Sequence, residues 1–304
     1  MIATEARPLP HGVTLSCRSA GERGRPVLMF LHGFPEAAFI WDGVLGHFSR
    51  PEHGGYRCVA PNLRGYEASS SPKEPEAYRA PLLAADIEAL IDDEGGKVAC
   101  LVAHDWGGAV AWTVANRSPR RLERLAIVNS PHPGTFLREL QRNPAQQAAS
   151  AYMNFFCRPD AEQILSADDY KLLWRSFTGM GAGPDRFNWL TDEVKAQYRQ
   201  VWDRGLTGAL NYYRATPLRP ATERDPAASA VTLPREMLAI DVPTLVLWAL
   251  DDTALLPGLL DGLEEHVPDL TVKKIENATH WVLREQPRRV IGELEAFLRG
   301  GSGA

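Results

Sequence analysis

Val98-Ala99-Cys100-Leu101-Val102-Ala103-His104-Asp105-Trp106-Gly107-Gly108 is an apolar run that breaks at a charged residue and two glycines. Val98–Ala103 has strand length and is continuously apolar, as a strand covered on both faces requires. From Trp106 to Ala115 the sequence is apolar nearly all round, which predicts a helix buried on most sides. A buried strand, a polar residue and a buried helix form the context of the sharp turn described by G-x-S-x-G, which presents a nucleophile. Here Asp105 holds the nucleophile position, and Ala103 stands for the first glycine. An aspartate capping the helix that starts at Trp106 is the simpler alternative.

The residue type is chemically informative. Serine suits attack on a carbonyl, because the resulting ester can be hydrolysed. Serine attacking a saturated carbon would leave an ether, which water does not readily cleave. A carboxylate attacking a saturated carbon leaves an ester that opens at its own carbonyl. Asp105 therefore points to substitution at sp3 carbon, by opening an epoxide or displacing a halide.

Short apolar runs recur on both sides of this turn. Val13–Cys17, Val27–Leu31, Tyr56–Ala60 and Leu125–Val128 read as strands. Leu83, Ile87, Leu90 and Ile91 have the spacing of an amphipathic helix, which Gly95-Gly96 stops. Strands alternating with helices predict an α/β fold, a mostly parallel central sheet flanked by helices. From 131 to 238 the pattern changes to long helical segments with frequent aromatics, which predicts an inserted helical cap or lid. After it the alternation resumes, with strands at Thr244–Trp248 and Leu270–Ile275 and helices at Leu255–His266 and Arg288–Leu298. The expected division is a core of 1–130 and 239–304 with a cap of 131–238, and Gly300–Ala304 should be a flexible tail.

The remaining site residues follow from this order. The loop His32-Gly33-Phe34-Pro35-Glu36 follows the strand Val27–Leu31, where such an architecture places one oxyanion donor; the second comes from the residue after the nucleophile. The donors would be the N–H groups of Phe34 and Trp106. The base should sit after the last strand, and of the eight histidines His280 alone does. The acid should follow Thr244–Trp248, which makes it Asp252 or, as an alternative, Asp251. A layout with the acid after Leu125–Val128 would use position 129, but Asn129 has no carboxylate.

Composition narrows the classes. With 304 residues, 44% hydrophobic and 23% charged, the chain can bury a sizeable core. A net charge of −5 without a dense Lys/Arg run argues against nucleic acid as a partner. No stretch approaches the roughly 18 apolar residues of a membrane span, and Met1–Pro10 has no apolar signal-peptide core. The four scattered cysteines (Cys17, Cys58, Cys100, Cys157) read as free thiols of a cytoplasmic protein, without metal-ligand spacing.

On His32-Gly33-Phe34-Pro35-Glu36, Asn62-Leu63-Arg64-Gly65-Tyr66, His104-Asp105-Trp106-Gly107-Gly108, Pro131-His132-Pro133, Leu210-Asn211-Tyr212-Tyr213-Arg214 and the His280 loop, the chain resembles the epoxide-hydrolase branch of the α/β-hydrolases. The resemblance covers nearly the whole chain and implies the α/β-hydrolase fold. It also implies two lid tyrosines that act as acids in epoxide opening: Tyr213, within a fully matching motif, and Tyr152, in a segment whose flanking residues differ. Phe34, Trp106, Tyr152 and Tyr213 would contact a small apolar substrate in a pocket to which Phe155, Phe156, Trp174, Phe187 and Trp189 could contribute. With water as second substrate, every chemical role has a side chain, so no cofactor or metal is expected. Haloalkane and haloacetate dehalogenases are similar too and would use the same Asp105, His280 and Asp252. However, Phe34 replaces the Asn many of the former carry, and Trp106 replaces the arginine of the latter. A non-enzymatic receptor on this fold would more readily have lost one of the three residues.

Overall fold

The computed structural model describes residues 1–179 and 188–300. Phe187 and the last four residues of the expected tail lie outside the described residues. Eight strands form one sheet: β1 (Ala3–Pro8), β2 (Thr14–Ala20), β3 (Val27–Leu31), β4 (Arg57–Pro61), β5 (Cys100–His104), β6 (Leu125–Val128), β7 (Thr244–Ala249) and β8 (Leu270–Ile275). Their order is β1-β2-β4-β3-β5-β6-β7-β8. β1 and β2, and β2 and β4, pair antiparallel; the other pairs are parallel. The continuously apolar runs are the central strands, and every residue of β3 to β7 is buried.

The helices before β6 are α1 (Asp42–Phe48), α2 (Ala80–Asp93) and α3 (Trp106–Arg117). Between β6 and β7 the chain forms α4 (Pro133–Arg142), α5 (Pro144–Ala149), α6 (Tyr152–Phe156), α7 (Ala161–Gly179, interrupted at Ala167–Tyr170), α8 (Asp192–Trp202) and α9 (Thr207–Ala215). After β8 come α10 (Val282–Glu285) and α11 (Pro287–Arg299). No described helix is long and apolar enough to cross a membrane.

Two elements differ from expectation. Ala3–Pro8, within a segment that reads as polar, is the edge strand β1. Leu255–His266 is not one helix but two 3-10 turns, Pro257–Leu260 and Leu263–Glu265. Gly262 separates them at φ 72°, a left-handed conformation that ends a helical run.

Register fixes where the chemistry can sit. Leu31 pairs with Ala103, His104 with Val128, Val128 with Leu247 and Ala249 with Ile275. The C-terminal ends of five parallel strands are therefore level. The chain passes from β3 outward to β4 and later returns to the other side of β3 as β5. At such a switch point the loops diverge and leave a crevice.

Candidate active site

Asp105 is the first residue beyond β5, with φ 50° and ψ −123°. That backbone region costs a non-glycine residue about 1–3 kcal/mol and persists only where the surroundings enforce it. The Ser130 hydroxyl donates to the Asp105 carbonyl at 2.7 Å, and Gly108 N–H donates to it at 2.8 Å. Asp105 stands at the N-cap position of α3, yet its side chain makes no capping bond. Its Oδ1 instead accepts the Phe34 N–H at 2.7 Å, and its Oδ2 lies 3.6 Å from His280 Nε2. The β3 loop approaches so closely that a Cβ on Gly33 would lie 2.3 Å from Asp105 Oδ1. As the first residue of α3, Trp106 has a backbone N–H without an intrahelical acceptor.

His280 sits in the loop after β8, and its Nδ1 is 2.7 Å from Asp252 Oδ2. It is Asp252, not Asp251, that bonds the imidazole. Asp252 is buried, and its Oδ1 accepts the N–H groups of Ala254 (2.9 Å) and Leu255 (3.0 Å). Burial works against its ionisation, but the His280 charge and the bonds from His280, Asn129 and Leu255 outweigh it. The carboxyl is held below its ordinary range. For His280, burial works against the cation, while Asp252, then Asp105 and Glu36, favour it and push its pKa up to about 9.

Asn129 has a part that its lack of a carboxylate concealed. Its amide donates to Asp252 Oδ2 at 2.9 Å and accepts the Ala249 N–H at 2.9 Å. Asn129 and Ser130 stand at the level end of β6, so their place beside Asp105 and Asp252 was the available signal. Behind His280 lies a further buried pair. His104 Nε2 is 2.9 Å from the His280 carbonyl oxygen, and His104 Nδ1 is 3.3 Å from Glu36 Oε2. Tyr198 on α8 donates to Glu36 Oε1 at 2.7 Å, and the Trp202 indole donates to the Pro35 carbonyl at 2.8 Å. These bonds tie the inserted helices to the loop that carries Phe34.

Tyr152 opens α6 and Tyr213 lies on α9, with ring centroids 6.2 Å apart. Tyr213 packs edge-on against Trp106 at 5.0 Å and Phe34 at 5.3 Å. Burial, reinforced by the Asp105 charge, raises both phenols well above their ordinary pKa and keeps them protonated. A cavity of about 430 Å³ is lined by Trp106, Phe136, Met153 and Leu218, among others. A second, of about 280 Å³, is lined by Phe34, Phe156, His280 and Trp281. Asp105, Tyr152 and Tyr213 line both, so the carboxylate and the two phenols stand where the cavities meet. Of the lid aromatics expected to contribute, only Phe156 lines either cavity among the described residues. Trp174 packs on Trp202 at 4.4 Å, Trp189 on Phe177 at 5.8 Å and Phe155 on Phe156 at 5.8 Å.

Residues 26–287 match the family model of the alpha/beta hydrolase fold. Epoxide hydrolase 4 of Mus musculus is 34% identical, over 92% of this chain and 75% of its own length. The AB hydrolase superfamily protein YfhM of Bacillus subtilis is 33% identical over 91% of each chain. The crystal structure of an epoxide hydrolase from Bacillus megaterium in complex with an inhibitor superposes with a TM-score of 0.87 at 31% identity, covering 97% of this chain and all of the other. With its sheet order, its turn at Asp105 and these relatives, the chain belongs to the α/β-hydrolase fold family, in the branch of the epoxide hydrolases.

Proposed function

We propose that this protein hydrolyses epoxides to vicinal diols through a covalent ester on Asp105, with Asp105, His280 and Asp252 as its triad. The observation that carries the reading is the meeting of one carboxylate and two protonated phenols at the junction of two largely apolar cavities. Asp105 Oδ1 is engaged by Phe34 N–H, which leaves Oδ2 to attack an epoxide carbon. The C–O bond breaks, and the oxygen takes its electrons and a proton from Tyr152 or Tyr213. A halide leaving group would give these phenols nothing to protonate. Alkylation removes the Asp105 charge, which lowers the His280 pKa; its proton returns to the phenolate and leaves a neutral imidazole. His280, oriented by Asp252, then deprotonates water for attack on the ester carbonyl. The oxyanion forms on Oδ1, facing the Phe34 and Trp106 N–H groups. Its collapse expels the diol alkoxide, which takes the proton of the added hydroxyl.

We take 131–238 as a lid that shapes the substrate cavity, and the substrate as a small apolar organic epoxide. The free thiols Cys17, Cys58, Cys100 and Cys157 support a cytoplasmic location. The test is to incubate the protein separately with styrene oxide, a bromoalkane and fluoroacetate, assaying diol and halide. Diol alone is expected; halide without diol would reassign the substrate class to a dehalogenase. In His280→Gln the ester should persist, and the peptide containing Asp105 should gain the mass of one styrene oxide. An unmodified peptide after exposure to a substrate that the wild type turns over would sink the covalent scheme.

A further inference from the structure

His47, His53 and Glu295 converge at a place that lines neither of the two cavities. His47 is in the last turn of α1, His53 ends the 3-10 turn Pro51–His53, and Glu295 projects from α11. His47 Nε2 is 2.7 Å and His53 Nδ1 is 3.1 Å from the same oxygen, Glu295 Oε1. The two rings stack at 3.7 Å with an interplanar angle of 27°, so both nitrogens are offered to one side. Among the described residues this is the one group of three such ligands whose donor atoms all lie within 4.8 Å of one another. All three residues are half-buried, within reach of an ion and of water.

We propose that these three residues form a site for a borderline divalent transition cation, such as zinc, that clips α11 to the segment after β3. Two imidazole nitrogens and one carboxylate suit Zn2+, Ni2+ or Cu2+ and disfavour Mg2+ and Ca2+, which demand oxygen ligands. Donors about 2.0–2.1 Å from a tetrahedral zinc stand about 3.3 Å apart. The two nitrogens stand 2.7 and 3.1 Å from the carboxylate oxygen, shorter than that, so side-chain rotations that move Glu295 back open the site. The ion replaces the two hydrogens now shared with Glu295; each imidazole then carries its proton on the other nitrogen, and water completes the shell. Arg299 lies 3.3 Å from Glu295 Oε2, on the oxygen that faces away from the imidazole contacts.

The test uses tag-free full-length protein stripped with EDTA and then freed of it. Competition against a chromogenic chelator measures Zn2+ binding, with Mg2+ as control. One Zn2+ per chain is expected, and each of His53→Asn and Glu295→Gln should weaken it roughly tenfold or more. Co2+ should give the visible absorption of a four-coordinate site, lost in the same variants. Glu295→Gln keeps the size of the side chain and one oxygen that can accept from both imidazoles, so loss of binding there with an unchanged far-UV CD spectrum is not misfolding. Absence of stoichiometric binding, or equal binding by wild type and both variants, overturns the proposal.

Discussion

Asp105 helps to hold His280 in the charged state, and that coupling can be measured. Asp105 is one of the carboxylates that raise the His280 pKa to about 9. In Asp105→Asn this influence disappears while Asp252 and Glu36 remain, so the imidazole should titrate at lower pH than in wild type. Proton NMR of the His280 ring reads the shift; an unchanged midpoint would mean that Asp252 and Glu36 set it without Asp105. In the proposed reaction the tyrosines act in the other half. Tyr213→Phe should slow formation of the ester by about 10²–10⁴-fold, the usual contribution of a positioned acid, and leave its hydrolysis unaffected. Single-turnover tryptophan fluorescence separates the two steps, and equal slowing of both would argue that Tyr213 only packs. Asp105, His280 and the pair Asp251-Asp252 are legible in the sequence because each sits at a fixed place after an apolar run; the choice of Asp252 within that pair comes from its 2.7 Å contact with His280. Asn129 is not, since its bond to Asp252 spans 123 positions and its amide resembles that of any loop asparagine.

The packing of α3 on β3 sets how well the strand-to-helix turn is held. A Cβ at Gly107 would lie 2.6 Å from the backbone oxygens of both Leu31 and His32. Gly107→Ala gains up to about 1 kcal/mol of helix propensity but meets main chain that cannot swing aside. Overpacking costs about 1–3 kcal/mol, so the urea midpoint should fall. Gly292→Ala on α11 is the control: nothing lies within 4 Å of the point its Cβ would occupy, and stability should rise. If both variants change stability alike, propensity rather than close packing governs. The same contrast explains what the sequence made visible among elements. Strands buried on both faces announce themselves as apolar runs. β1 does not, because an edge strand exposes most of its residues and needs no such run. In 255–266, Leu255, Leu259 and Leu263 repeat at helical spacing, but Pro257, Gly258 and Gly262 divide the segment. Periodicity reported its burial and not its geometry.

At the scale of the molecule, the buried histidines pull stability in opposite directions with pH. His280 is raised from 6.5 to about 9, by Asp252 and Asp105 against burial. A raised group contributes stability that is complete below the unfolded pKa and is lost as pH climbs to the folded one. Unfolding above pH 6.5 therefore releases a proton from His280, and stability should fall by about 1.4 kcal/mol per pH unit over that window. His32 and His132 are buried and lowered, to about 4 and about 3. They stay neutral in the fold while the unfolded chain takes up protons below pH 6.5. Each contributes stability present above 6.5 and lost as pH falls toward its folded value. Half-buried His266 is lowered too and adds to the acid side, so the protons taken up there outnumber the one released on the alkaline side and give a maximum near pH 6.5 with the steeper limb below it. Urea titrations from pH 4.5 to 9 measure both limbs. His280→Gln should flatten the alkaline limb and leave the acid limb intact, because glutamine cannot titrate and His32 and His132 are untouched. An alkaline limb that survives unchanged in this variant would argue that the His280 imidazole is neutral in the folded protein, and in the proposed reaction the Asp105 carboxylate would then meet its substrate without a counter-charge.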